Sequence, residues 1–164
     1  MTLRADAQRN LDRLLEIAGE CFAERGLDVS IDEIARRAGV GHGTVFRNFA
    51  SKDALFVAVL NQRIWELVDV ARAALDEPDA WEGFAGFFRH IAARYAANLA
   101  LLGGLERCEG SPEKDELGAA VRQLVERAQR AGELRRDVSA EDVLMLVPTA
   151  ARYPEIVLDG LRVA

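Results

Sequence analysis

The stretch RRAGVGHGTVFRNFASKDAL, residues 36–55, limits the fold more than any other part of the chain. Gly39, Gly41 and Gly43 fall within five residues, yet the sequence on either side carries strong helical periodicity. Just upstream, SIDE opens a helix: Ser30 is a capping residue, and Glu33, three positions on, can reach back to it. The helix predicted over 31–38 turns Ile34, Ala35 and Ala38 inwards. Gly39, Val40 and Gly41 then turn the chain, and a helix of under two turns is predicted over 42–48. Ser51 caps a long helix predicted over 52–75. Two short helices joined by a three-residue turn make a helix-turn-helix plan, whose second helix fits the major groove of DNA.

The charge pattern points the same way. No acid occurs from Ile34 to Lys52, although the whole chain carries a formal net charge of −6. A helix that approaches phosphates cannot hold acids at its contact face, because they meet a dense row of negative charge. Arg36, Arg37, Arg47 and Lys52 offer positive charge around the edge, and Gly43 leaves room for close backbone approach. The overall acidity is no obstacle, since at physiological salt charges more than about 8 Å apart are largely screened. The same residues have a plainer reading. Arg36 and Arg37 then form a solvated helix face, and His42 is a solvated turn residue. Val40, Val45, Phe46 and Phe49 are core of a three-helix unit, with Phe46 at its edge.

The rest of the chain is predicted to be helical almost throughout. A first helix over 6–25 places Leu11, Leu14, Leu15, Ala18, Cys21 and Phe22 on one face, and Gly26 supplies its left-handed stop. After Leu75, DEPDAW breaks the pattern. A helix over 79–101 then carries Trp81, Phe84, Phe87, Phe88, Ile91 and Tyr95 before Gly103-Gly104 and EGSPEK interrupt. A helix over 113–131 buries Leu117, Val121, Leu124, Val125 and Ala128 and ends at Gly132. Ser139 with Asp142 marks the next start, and VLMLV within that helix is apolar on every side. Such a helix needs cover on two sides, so the helices from Ser139 onwards are expected to form a two-fold homodimer interface. Pro148 and Pro154 sit awkwardly within this region.

Other classes are excluded by what the sequence lacks. No run reaches the roughly 18 uncharged apolar residues that span a membrane. MTLRADAQRN has no secretion-signal core, so a cytoplasmic location is expected. Cys21 and Cys108 sit in apolar helical settings and read as reduced, buried thiols. His42 and His90 lie far apart in sequence, and with the cysteines they show no metal-ligand spacing. No catalytic residue, metal site or cofactor is expected. A helical protein-interaction module without DNA binding is the alternative reading.

SIDEIARRAGVGHGTVFRNFASKDALF resembles the DNA-binding domain of the TetR family of bacterial transcriptional regulators. Ile34-Ala35, Ala38-Gly39-Val40, Gly43, Phe46, Phe49, Lys52 and Leu55 fall at the family's spacing, within a resemblance covering residues 9–57. The resemblance implies an all-α protein with a helix-turn-helix DNA-binding domain over 1–51. An effector-binding and dimerisation domain over 52–164 would follow. It implies a homodimeric repressor that leaves a palindromic operator when a small organic effector binds.

By resemblance, His42 opens the recognition helix and faces a base or a phosphate. Thr44 meets a phosphate or a thymine methyl, and Arg47 reaches a guanine edge or a phosphate. Lys52 holds a backbone phosphate, while Arg4 and Arg9 form an N-terminal arm. Phe46 and Gly41 depart from the family, which often has Tyr and Ser there; Phe46 therefore lacks a phenolic contact with phosphate. The connection at Arg152–Glu155 is shorter than in relatives, as though a loop were missing. Trp65, Phe87, Arg94, Tyr95 and Cys108 are the effector-binding candidates by residue type, for an apolar or aromatic molecule.

Overall fold

The computed structural model describes residues 2–97, 108 and 110–163, with only the backbone of residues 2–6. These residues form eight α-helices and fall into two compact units that divide between Gln62 and Arg63, inside the long fourth helix.

The first unit begins with α1 (Thr2–Arg25) and a single 3-10 turn, Gly26–Asp28. α2 (Ile31–Ala38), α3 (His42–Asn48) and the first half of α4 (Lys52–Leu75) follow. The predicted bounds hold except at the start, where α1 opens at Thr2 rather than near residue 6. Arg4 and Arg9 are therefore carried on a helix and do not form an extended arm. Leu14, Ala18, Cys21 and Phe22 of α1 are buried with Ile34 and Ala35 of α2 and Val45 of α3. Phe22 meets Phe56 of α4 edge to face, ring centroids 5.0 Å apart. Burying each such ring contributes about 1.5–3 kcal/mol. Desolvation also pushes the Cys21 thiol above its ordinary range, as expected of an inert structural cysteine.

A charged clamp fixes α2 on α1. Arg37 donates to Glu24 at 2.6 Å and to Glu20 at 3.4 Å. The hydrogen bond from Arg37 lowers the Glu24 carboxyl below the usual range, and the same bond raises the guanidinium. Glu20 and Glu24 are one turn apart on α1, so both face the same point of α2. Arg37 is thus neither a solvated residue nor a spare cation for phosphate. Glu33, expected to reach back to Ser30, pairs with Arg25 at 2.6 Å; only the other half of the box forms, with Ser30 Oγ accepting from the Glu33 amide.

The second unit contains the rest of α4, α5 (Ala80–Ala97), α6 (Pro112–Arg130), α7 (Ala140–Ala150) and α8 (Pro154–Leu161). α5 packs against α6, α7 and α8, and its aromatic stripe makes the core. Trp81, Phe84, Phe87 and Phe88 are all buried, with Phe84 stacked on Phe88 at 6.2 Å. Asp79 caps α5, its Oδ1 accepting from the Glu82 amide at 2.9 Å. The end of the helix predicted to residue 101, and the glycine pair after it, lie outside the described residues.

Arg127 of α6 holds the end of α4, donating to the Leu75 and Pro78 carbonyls at 3.0 Å each and to that of Glu77. Gly83 completes that corner: a Cβ there would lie 2.5 Å from the Ala74 carbonyl oxygen. Ser139 and Asp142 form a full capping box, worth about 1 kcal/mol. Pro148 lies inside α7, two residues before its end, where its missing N–H leaves the Leu144 carbonyl without a helical donor. Pro154 starts α8, where a proline has no bond to lose. The short connection between them is a bonded turn: the Ala151 amide donates to Val147 and the Tyr153 amide to Ala150.

The VLMLV stretch of α7 is covered on only one side. Val143, Val147 and Ala150 are buried, whereas Met145 is 78% exposed. Ile156 of α8 is 70% exposed, and Tyr153 and Val163 are exposed nearby in sequence.

Candidate nucleic-acid interface

The geometry of the 39–43 turn follows from its glycines. Gly39 adopts φ +72°, a left-handed conformation that costs other residues roughly 1–2 kcal/mol. There its amide donates to Arg36 and the Val40 amide to Ala35, closing the end of α2. Gly41 caps α3 through its carbonyl, which accepts from the Thr44 amide at 2.8 Å. Val45 is the one residue of α3 that is buried, so the opposite face is free to point outwards.

His42, Gly43, Phe46 and Arg47 are exposed and Thr44 is half-buried. Open space surrounds the position of a Gly43 Cβ. Phe46 is 44% exposed, so it is a surface ring rather than core, while Val40 and Phe49 are half-buried. The polar groups on this face are already ordered. Arg47 donates to Thr44 Oγ1 at 2.9 Å, and Asn48 Nδ2 donates to the Thr44 carbonyl at 2.8 Å. The His42 ring lies against Phe46, centroids 4.7 Å apart.

Two placements differ from the sequence reading. Lys52 is turned back on its own unit, where its ammonium donates to the Leu27 carbonyl at 2.5 Å and the Val29 carbonyl at 3.3 Å. It fastens the 3-10 turn beneath α4, leaving one N–H for any outside acceptor. The recognition segment is also less acid-free in space than along the chain. Asp32 of α2 reaches His42, Oδ1 lying 2.5 Å from Nδ1. A ten-residue separation hides this pair, yet both residues open helices that the three-residue turn folds together.

The comparisons agree with this geometry. A profile of bacterial regulatory proteins of the tetR family matches residues 14–59. A profile of the SbtR-like transcriptional regulator C-terminal domain matches residues 79–163, more than half of the chain. The chain belongs to the TetR family.

Among the relatives of this TetR-family chain is an HTH-type transcriptional repressor of Mycobacterium tuberculosis. It is 30% identical over 91% of this chain and 78% of that protein. The HTH-type transcriptional activator FasR of Mycolicibacterium smegmatis is 36% identical, over 51% of this chain and 42% of its own length. The crystal structure of a TetR transcription regulatory protein from Mycobacterium vanbaalenii superposes with a TM-score of 0.78 and 40% identity. The match covers 98% of this chain and 99% of that one. This TetR-family member is a DNA-binding transcriptional regulator and not an enzyme. The alternative of an interaction module without DNA binding gives way. No helix of the described residues is long and apolar enough to cross a membrane.

The effector candidates differ in burial and in their partners. Phe87 is 1% exposed and belongs to the aromatic core of the second unit. Trp65 is 40% exposed, with the Arg72 guanidinium 5.9 Å from its ring centroid. Arg94 donates to Glu66 at 2.6 Å, and Glu66 also accepts from Arg63, so the cation is held between helices α4 and α5. Tyr95 is half-buried beside it in sequence, whereas Cys108 is buried and clusters with the first unit.

Proposed function

We propose that this regulator is a homodimeric repressor that binds a palindromic operator and leaves it when a small organic effector binds. The observation that carries the DNA-reading part is the outward face of α3. Its polar side chains are ordered by one another, and its single buried residue, Val45, anchors it from behind. In this reading Arg47 reaches a guanine edge or a phosphate, with Thr44 fixing its guanidinium. Thr44, His42 and the edge of Phe46 meet the groove, Gly43 allows close approach, and the third N–H of Lys52 points to a phosphate.

A single protomer of this size would read only half a site. The uncovered apolar residues Met145, Tyr153, Ile156 and Val163 support pairing of two copies through α7 and α8, burying about 1,500 Å². Paired so, two copies of α3 would lie ~34–36 Å apart in successive major grooves. Repression is favoured by the Mycobacterium tuberculosis repressor, the relative matched over most of both chains. The effector would be apolar or aromatic, with Trp65, Phe87, Arg94 and Tyr95 of the second unit as its candidate contacts. It can act only through a difference in affinity between two arrangements of the dimer.

The test is operator selection from random duplexes, followed by affinity measurement for wild type and Arg47→Ala. The expected outcome is a palindromic site and a loss of about 1–3 kcal/mol for the variant, roughly 5- to 150-fold, with dimerisation and thermal stability unchanged. Equal affinities would remove α3 from the reading role.

A further inference from the structure

Asp32 poses a physical problem. An exposed carboxylate beside a DNA-facing helix repels phosphate, yet this one stands 2.5 Å from the first residue of that helix. Its effect on His42 is specific. An ionised carboxylate can only accept a hydrogen bond, so the Nδ1 it faces must carry the hydrogen. In the neutral imidazole this fixes the tautomer: the other nitrogen, Nε2, keeps its lone pair and accepts. Phe46, one helical turn further on, lies against the ring at 4.7 Å with an interplanar angle of 38°. The hydrogen bond holds one edge of the imidazole and the phenyl ring covers one face, so both tautomer and orientation are set before any duplex arrives. The neighbouring Gly41 and Gly43 have no side chains to crowd the remaining edge.

We propose that Asp32 is a positioning residue for base selection: by holding His42 Nδ1–H it makes Nε2 an acceptor. It thereby favours an operator base that offers an amino group in the major groove on the strand that His42 faces. Adenine N6 and cytosine N4 are such groups; guanine and thymine present acceptors at the corresponding place. The proposal rests on the reading of α3 as the groove-entering helix, but its first step is a property of the free protein.

The experiment therefore has two arms. Ring ¹⁵N NMR of the free protein, at a pH well above the ordinary histidine range, reports the His42 tautomer directly. Wild type is expected to show Nδ1–H, and Asp32→Ala a shift towards the Nε2–H form that free imidazole side chains prefer. An Nε2–H ring in wild type overturns the proposal. The second arm uses the selected operator with all four bases placed in turn at each position. His42→Ala identifies the position it reads by loss of discrimination there.

At that position Asp32→Ala is expected to lose about tenfold discrimination. Asp32→Asn, whose carboxamide oxygen can still accept from Nδ1, keeps most of it. In the His42→Ala background Asp32→Ala should add nothing to the loss. Uniform tightening on every duplex, with no change in base preference, overturns the proposal by reducing Asp32 to a repulsive charge. A His42→Ala variant with unaltered discrimination everywhere overturns it as well. Failure of wild type to bind any duplex would instead strike at the DNA-reading function, and is recognised because the tautomer arm stands independently.

Discussion

On α3 the exposed side chains include His42, Arg47 and Phe46; on and beside α7 and α8 the large apolar ones are Met145, Tyr153 and Ile156. The first set is held by hydrogen bonds and ring contact within its own unit, to Asp32, Thr44 and Phe46. On the second, Met145 and Ile156 are more than two-thirds exposed and consist of hydrocarbon and sulfur. Water satisfies the polar face and penalises the apolar one, at about 25 cal/mol per Å². The contrast teaches that order and exposure have different meanings. An exposed face already braced by local bonds suits a ligand met in water, because little side-chain entropy remains to be lost on contact. An exposed apolar face suits a partner that stays.

The sharpest way to break this comparison is to charge the apolar face. Replacing Ile156 and Met145 together by Asp should convert dimer to monomer at micromolar concentration in sedimentation, since paired copies would bury unpaired carboxylates. Operator affinity should fall by about a hundredfold or more as two linked half-sites become independent. A double variant that remains dimeric would show that the partner face lies elsewhere.

A smaller effect separates the two units by their glycines. Gly83→Ala drives a methyl into the Ala74 carbonyl and should cost about 1–3 kcal/mol, read as a lowered Tm. Gly39→Ala meets no neighbour within 4 Å but must hold φ +72°, costing about 1–2 kcal/mol. Hydrogen exchange should place the loss from Gly83→Ala in the second unit and that from Gly39→Ala around α2 and α3. Loss spread evenly over both units by either variant would erase the division at residue 62.

The comparison also explains what could be read from the sequence. Caps and glycines act within a few residues, so Ser30, Gly39, Gly41, Ser51, Ser139 and Gly132 were enough to place the described helix ends closely. The start of α1 was not legible because no cap marks it. Side-chain partners separated along the chain were not legible either. Arg37 looked like a free cation until Glu20 and Glu24 came up behind it, and Lys52 looked outward until Leu27 and Val29 folded beneath it. Asp32 is hidden for the same reason: an acid-free run along the chain says nothing about acids that the turn returns to it. Periodicity shows that VLMLV is apolar all round, yet which side its own unit covers depends on α5, α6 and α8.

The central claim is that α3 seats against a nucleic-acid duplex, and salt dependence tests it most directly. Operator affinity of the wild-type protein should be measured across a series of salt concentrations, with the dimer intact throughout. Each phosphate neutralised adds about −0.9 to the slope of log affinity against log salt, so two protomers with two or more contacts each predict a slope steeper than about −3. A flat line, or equal weak binding to operator and unrelated duplex at every salt, would contradict it.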